Sequence, residues 1–171
     1  MKTDFRPPLD NPFIIRLAQL AARGVARLWR RIVAIEIPED DLDRLRALRK
    51  QRFLLCSNHP TLGDPAVIVE LSRRVGIQFN GMAAREMFIG PLGWLFQRMG
   101  GYSVRRGAPD REAIRTTRRL LAEQDRKVVV FPEGVTYEHN DLLLPFQSGV
   151  IQIGFWALED LEYSGDGDTG V

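Results

Sequence analysis

Phe53-Leu54-Leu55-Cys56-Ser57-Asn58-His59-Pro60-Thr61-Leu62-Gly63-Asp64-Pro65 is the stretch on which the reading of this chain turns. An apolar run enters a polar loop, and Ala66-Val67-Ile68-Val69-Glu70-Leu71 leaves it with helical periodicity. Strand, loop, helix is the unit of an α/β fold, which gathers functional side chains where its strands end. The loop holds one of only two histidines, the other being His139, with Asp64 five positions on. Histidine is suited to moving a proton near neutral pH. A carboxylate in reach of its ring fixes the tautomer and stabilises the imidazolium. The same residues also read as plain structure: Asp64 as a helix N-cap, Pro65 as the first helical residue, Asn58 and His59 as loop residues capping backbone groups.

A chain of 171 residues with 44% hydrophobic and 27% charged residues suits one soluble domain with its own core. Its net charge of +2 hides an asymmetry. Residues 1–52 carry 12 Lys/Arg against 7 Asp/Glu, and residues 53–171 carry 12 against 15. A single cysteine, Cys56, excludes an intrachain disulfide and reads as a small buried hydrophobe. No cysteine cluster suggests zinc. Arginines interrupt the apolar N-terminus too often for a secretory signal. The longest uncharged run, Leu142 to Leu158, falls short of a bilayer span and reads as a loop followed by a buried helix.

Outward from the central stretch, residues 13–34 predict an amphipathic helix. Arg16, Arg23, Arg27, Arg30 and Arg31 fall within about 100° of one another on it. Ile14, Leu17, Ala18, Ala21, Val25, Leu28, Trp29 and Ile32 occupy the other side. An all-arginine stripe opposite a Trp-bearing apolar side suits a helix lying in a membrane interface, and also a surface helix packed on its own domain. Ile35-Glu36-Ile37 predicts a short strand and Pro38 to Lys50 a charged helix. Ile77 to Ala83 predicts another strand. The bulky segment Arg85 to Phe96 reads as a helix-turn-helix, either plain core or the lining of an acyl-chain groove. Gly100 to Val104 predicts a strand ending in the basic turn Arg105-Arg106-Gly107, suited to a phosphate or simply exposed. Residues 109–125 predict a helix with a solvated arginine face. Val128-Val129-Val130-Phe131 predicts a buried parallel strand, with Glu133 and Gly134 at its exit. These elements give an α/β domain with a central mixed sheet, helices on both faces and an N-terminal amphipathic helix. The predicted boundaries are 1–37 for the arm and helix, 38–163 for the α/β domain, and 164–171 for an acidic Gly/Asp tail that forms no packed element.

Three strand ends thus carry His59/Asp64, Arg105/Arg106 and Glu133. In this the sequence resembles the glycerolipid acyltransferases, typified by 1-acylglycerol-3-phosphate acyltransferase. Asn58, His59 and Asp64 match that family's N-H-x-x-x-x-D motif. Gly100 or Gly101 through Val104, Arg106 and Gly107 match G-x-x-x-V-x-R-G. Phe131-Pro132-Glu133-Gly134 match F-P-E-G in full, and Arg85-Glu86 with Pro91-Leu92-Gly93-Trp94 resemble the connecting segment. Two departures stand out. The family continues F-P-E-G-T-R-S where this chain has Val135-Thr136-Tyr137. Its later V-P-V/I-type strand has no counterpart, so the resemblance implies a domain lacking its C-terminal part.

The resemblance implies an O-acyltransferase of phospholipid synthesis. His59 is the general base and Asp64 its orienting partner. Arg106, with Arg105 and Arg85, holds the acceptor phosphate, while Glu133, Gly134 and Asn58 shape the acceptor site. The donor is an acyl thioester of CoA or acyl carrier protein, used as co-substrate with no cofactor and no metal. The expected partners are an anionic membrane surface, the thioester donor and a phosphate-bearing acceptor, and the expected location is the cytoplasmic side of a membrane. Two other readings compete. One is a non-catalytic module binding anionic lipid through its basic helix. The other is a metal-dependent hydrolase using His59, Asp64, Glu133 and His139, whose spacing matches no specific metal site. Nucleic-acid binding is not expected, because the arginines are not interleaved with aromatics and the C-terminal part is acidic.

Overall fold

The computed structural model describes residues 4–124, 126–139 and 142–165. Among them four strands form one sheet, β1 (Phe53–Cys56), β2 (Phe79–Ala84), β3 (Gly101–Val104) and β4 (Lys127–Val130). The helices are α1 (Pro12–Arg30), α2 (Glu39–Ala47), α3 (Asp64–Val75), α4 (Gly90–Arg98), α5 (Arg111–Ala122) and α6 (Ser148–Gly165). Each connection between successive strands carries a helix, so each strand returns in the same direction. The described sheet is therefore parallel throughout, in the order β1-β4-β2-β3, rather than mixed.

Strand β4 lies between β1 and β2 and alternates its side chains across the sheet. Val128 and Val130 enter a core with Tyr102, Ala113, Leu120, Leu121 and Ala157, under α5 and α6. Val129 enters a second core with Leu42, Val75, Ile77 and Phe79, under α2 and α3. Both faces are thus covered, as the valine run implies. Ile35-Glu36-Ile37 is not a strand but an irregular link into α2. The expected tail is shortened, because α6 includes Ser164 and Gly165; residues 166–171 lie outside the described residues.

Helix α1 packs on α3 with an unusual division of its surface. Asn11 caps it through Ile14 N–H, at 3.1 Å, and Arg31 ends it in the left-handed region at φ 55°. The buried line is narrow and partly polar: Gln19, Ala22 and Ala26. Gln19 donates to Ser72 Oγ at 2.9 Å, and Ser72 donates to the Ile77 carbonyl at 2.6 Å. Arg23 Nε meets Glu70 Oε1 at 2.7 Å. The large apolar residues face outward, with Phe13, Leu17, Leu20 and Trp29 exposed and Leu28 87% exposed. A helix that serves only its own core turns such residues inward.

Candidate active site

Parallel strands bring all their C-terminal ends to one edge of the sheet. Neighbours β1 and β4 pair from Phe53–Lys127 to Cys56–Val130, and Ser57 N–H extends the pairing to the Val130 carbonyl at 3.2 Å. The His59 loop therefore emerges against Phe131-Pro132-Glu133. The His59 ring stacks on Phe131 with centroids 4.0 Å apart and planes 15° from parallel. Its backbone N–H donates to Glu133 Oε2 at 2.9 Å.

The His59 Nδ1 lies 2.9 Å from Asp64 Oδ2. Asp64 does this without capping its helix: Gly63 is the N-cap residue and Asp64 the first helical residue. Its carboxylate instead turns back along the loop. Oδ2 also accepts Thr61 N–H at 2.9 Å, and Oδ1 accepts the Thr61 hydroxyl at 3.0 Å. Gly63 N–H in turn donates to Thr61 Oγ1 at 3.0 Å. Burial pushes the Asp64 carboxyl up, but the His59 ring and the two Thr61 donors outweigh it, leaving the group below the usual carboxylate range. An ionised Asp64 selects the tautomer with hydrogen on Nδ1, which leaves the Nε2 lone pair for a proton. With the two side chains 18% and 21% exposed, the pair is sheltered yet open to a substrate.

Glu133 is 4% exposed and its carboxylate is fully engaged. Besides His59 N–H, it receives at Oε1 the Tyr137 hydroxyl at 2.9 Å and Leu144 N–H at 3.3 Å. It holds the His59 loop from below. Gly134 has φ 73°, in the region that favours glycine, and a Cβ there would collide with Gln147, whose N–H donates to the Pro132 carbonyl at 2.9 Å. The Gln147 side chain could move aside, so the positive φ is what favours glycine at this position. The Asn58 carbonyl accepts from Ser57 Oγ at 3.2 Å; its side chain makes no hydrogen bond among the described residues.

The three arginines stand at the ends of β2 and β3, on the same edge. Neighbouring strands lie about 5 Å apart, so β3 ends roughly 10 Å from β4 and 15 Å from β1. Arg85 Nη2 is 3.0 Å from Asp110 Oδ2, while its buried Nε has no hydrogen-bond partner among the described residues. Asp110 Oδ2 also accepts Arg105 N–H at 2.9 Å, and Oδ1 caps α5 through Glu112 and Ala113 N–H. The Arg105 side chain is exposed; Arg106 is 55% exposed and 3.8 Å from Glu86. No hydrogen bond or ion pair among the described residues joins these arginines to His59 or Glu133. The structure thus joins both Asp64 and Glu133 to His59, sets Gly134 beside Glu133 against Gln147, and leaves Arg85, Arg105 and Arg106 as a separate basic group on the same edge.

Sequence reasoning missed four supporting residues: Thr61, Tyr137 and Asp110, and the role of Phe131 as a platform for the imidazole. A hydroxyl three residues before an aspartate is a turn signal that pointed to Thr61. Asp110 before a helical run is an N-cap signal, but nothing in the sequence ties it to Arg85. Among the described residues no group of three or more His, Cys, Asp or Glu side chains is arranged to hold a metal ion.

The described sheet is parallel, and the His59–Asp64 pair lies against the Phe131-Pro132-Glu133-Gly134 segment at its C-terminal edge. The family model described as Acyltransferase matches residues 37–156. The chain belongs to that family. Its reaction class is acyl transfer.

Proposed function

We propose that the chain transfers a fatty acyl group from a CoA or acyl-carrier-protein thioester to a hydroxyl of a glycerol-phosphate lipid precursor, with 1-acylglycerol 3-phosphate as the acceptor. The observation that carries this reading is the His59 Nδ1–Asp64 Oδ2 contact of 2.9 Å, on an aspartate held below its usual range. His59 Nε2 takes the acceptor hydroxyl proton as its oxygen attacks the thioester carbonyl. Asp64 stabilises the imidazolium that forms. The tetrahedral intermediate expels the thiolate, and the imidazolium returns the proton to sulfur, so that ester and thiol leave. No enzyme nucleophile is needed. Cys56, expected from its sequence context to be a small buried hydrophobe, is instead exposed at the end of β1, and the partial desolvation that raises its thiol disfavours the thiolate a nucleophile needs.

The exposed Arg105 and Arg106 would meet the acceptor phosphate, with Arg85 behind them. Their separation from His59 along the sheet edge suits an acceptor that carries phosphate at one end and hydroxyl at the other. The outward apolar line Phe13, Leu17, Leu20 and Leu28, flanked by Arg16 and Arg27, supports peripheral or monotopic binding to an anionic membrane on its cytoplasmic side, where a lysolipid acceptor resides. No helix among the described residues is long and apolar enough to cross a membrane.

The test is an acyl-transfer assay with acceptors that do and do not carry phosphate. His59→Ala should lower kcat roughly 10²–10⁴-fold with little change in acceptor KM. Asp64→Asn, which keeps the geometry but loses the charge, should cost less. Near-wild-type turnover by His59→Ala would refute the mechanism and favour a membrane-binding module without catalysis.

A further inference from the structure

We propose that Tyr137 is a positioning residue for the His59 base, acting through Glu133. It lies where the chain departs from the F-P-E-G-T-R-S continuation. Its hydroxyl is 2.9 Å from Glu133 Oε1 and 2.6 Å from the Leu142 carbonyl, so its one proton bridges two acceptors. The other Glu133 oxygen holds His59 N–H at 2.9 Å. Tyr137 hydroxyl, Glu133 carboxylate and His59 backbone form one continuous chain. The carboxylate is nearly inaccessible to water, so its orientation depends on these donors and Leu144 N–H.

The next residue makes an independent tie. Glu138 N–H donates to the Pro60 carbonyl at 2.8 Å, one residue beyond His59. To do so Glu138 adopts φ 56°, the left-handed region that non-glycine residues rarely occupy. Strain of that kind persists where surrounding contacts enforce it. Tyr137 by its side chain and Glu138 by its backbone therefore clamp the segment after β4 onto the two sides of His59. The phenol is pushed up by burial and by the Glu133 and Asp64 carboxylates, so it stays a donor across the working pH range.

The clamp fixes the height of the imidazole over Phe131 and its approach to Asp64. Loss of the hydroxyl frees Glu133 to turn, and a misplacement of about 1 Å costs up to ~10²-fold in rate. The kinetic part of this inference rests on the acyl-transfer reading; the structural part does not. The experiment compares wild type, Tyr137→Phe and Tyr163→Phe, the last at an exposed tyrosine on α6. In ¹⁵N-labelled protein, Tyr137→Phe should speed hydrogen exchange of the His59 amide by about tenfold or more, leaving amides of α3 and β2 unchanged. It should lower kcat roughly 5–50-fold and leave acceptor KM within about twofold. Tyr163→Phe should change none of these. Unchanged His59 exchange in Tyr137→Phe, or acceleration spread evenly over the domain, would overturn the proposal. So would a raised KM with kcat intact. Were wild type inactive toward every acceptor, the acyl-transfer reading would fail while the exchange data still decided the role of Tyr137.

Discussion

Replacing Glu70 by glutamine should loosen α1, and the effect should depend on pH in a stated direction. Glu70 is buried, yet three arginines reach its carboxylate. Oε1 meets Arg23 Nε, Arg73 Nη2 and Arg74 Nε at 2.7, 2.8 and 2.8 Å, and Oε2 meets Arg73 Nε at 2.8 Å. These contacts, Arg73 first, outweigh burial and hold the group at about 2 instead of the ordinary 4.5. At ~1.4 kcal/mol per unit the shift is worth at most about 3.5 kcal/mol. Arg23 is largely exposed, so solvent screening reduces this to roughly 1–2 kcal/mol. The folded state binds the proton less readily than the unfolded state does. The stabilisation is therefore complete above about pH 4.5 and is lost as pH falls toward 2. Glu70→Gln removes the charge at every pH. For a chain of this length it should lower Tm by about 2–8 °C at pH 6, and the gap from wild type should narrow steadily between pH 5 and 2. Calorimetry at several pH values is the assay. An equal gap at pH 6 and pH 3, or no gap at pH 6, would refute the reasoning.

Two further outcomes follow from the surface. Replacing Leu17, Leu20 and Leu28 together by serine should weaken binding to anionic vesicles by at least about tenfold, because each leucine buried in an interface is worth roughly 1.5–3 kcal/mol; unchanged sedimentation with vesicles would remove the membrane role from α1. Arg105→Ala/Arg106→Ala should raise KM for a phosphate-bearing acceptor while sparing a phosphate-free alcohol, and equal losses on both would count against a phosphate site at the end of β3.

The His59–Asp64 pair was legible because its logic is local. The two lie five positions apart with four loop residues between them, and the loop's own Thr61 completes the arrangement. The valine run of β4 likewise announced burial on both faces, and the sheet obliged by placing it between β1 and β2. What escaped depends on distant pairs. Helix α1 shows its amphipathic pattern in sequence, but Glu70 and Ser72 decide which side turns inward, and they lie 47 and 53 residues from Arg23 and Gln19. Arg85 looked like a phosphate ligand; its tie to Asp110, 25 residues on, could not be read from either residue alone. Mixed strand directions were expected, although every connection was long enough to hold a helix, which favours a parallel return.

The central place of β4 also accounts for the partners Glu133 finds. A strand at the edge could offer its terminal glutamate to a ligand. A strand between β1 and β2 delivers that glutamate against the loop leaving its neighbour, where it accepts His59 N–H. A buried carboxylate in that position must be saturated with donors, since an unsatisfied one would be costly. Tyr137 and Leu144 complete the set, and the segment after β4 is drawn over the site in doing so. His59 thus stands on a strand end, a stacked aromatic and a saturated carboxylate, while the arginines after β3 stay on an exposed turn. On the acyl-transfer reading proposed above, proton transfer belongs to the His59 end of the edge and acceptor capture to the Arg105–Arg106 end. Substitutions under His59 should therefore act on kcat, and those in the Arg105–Arg106 turn on KM.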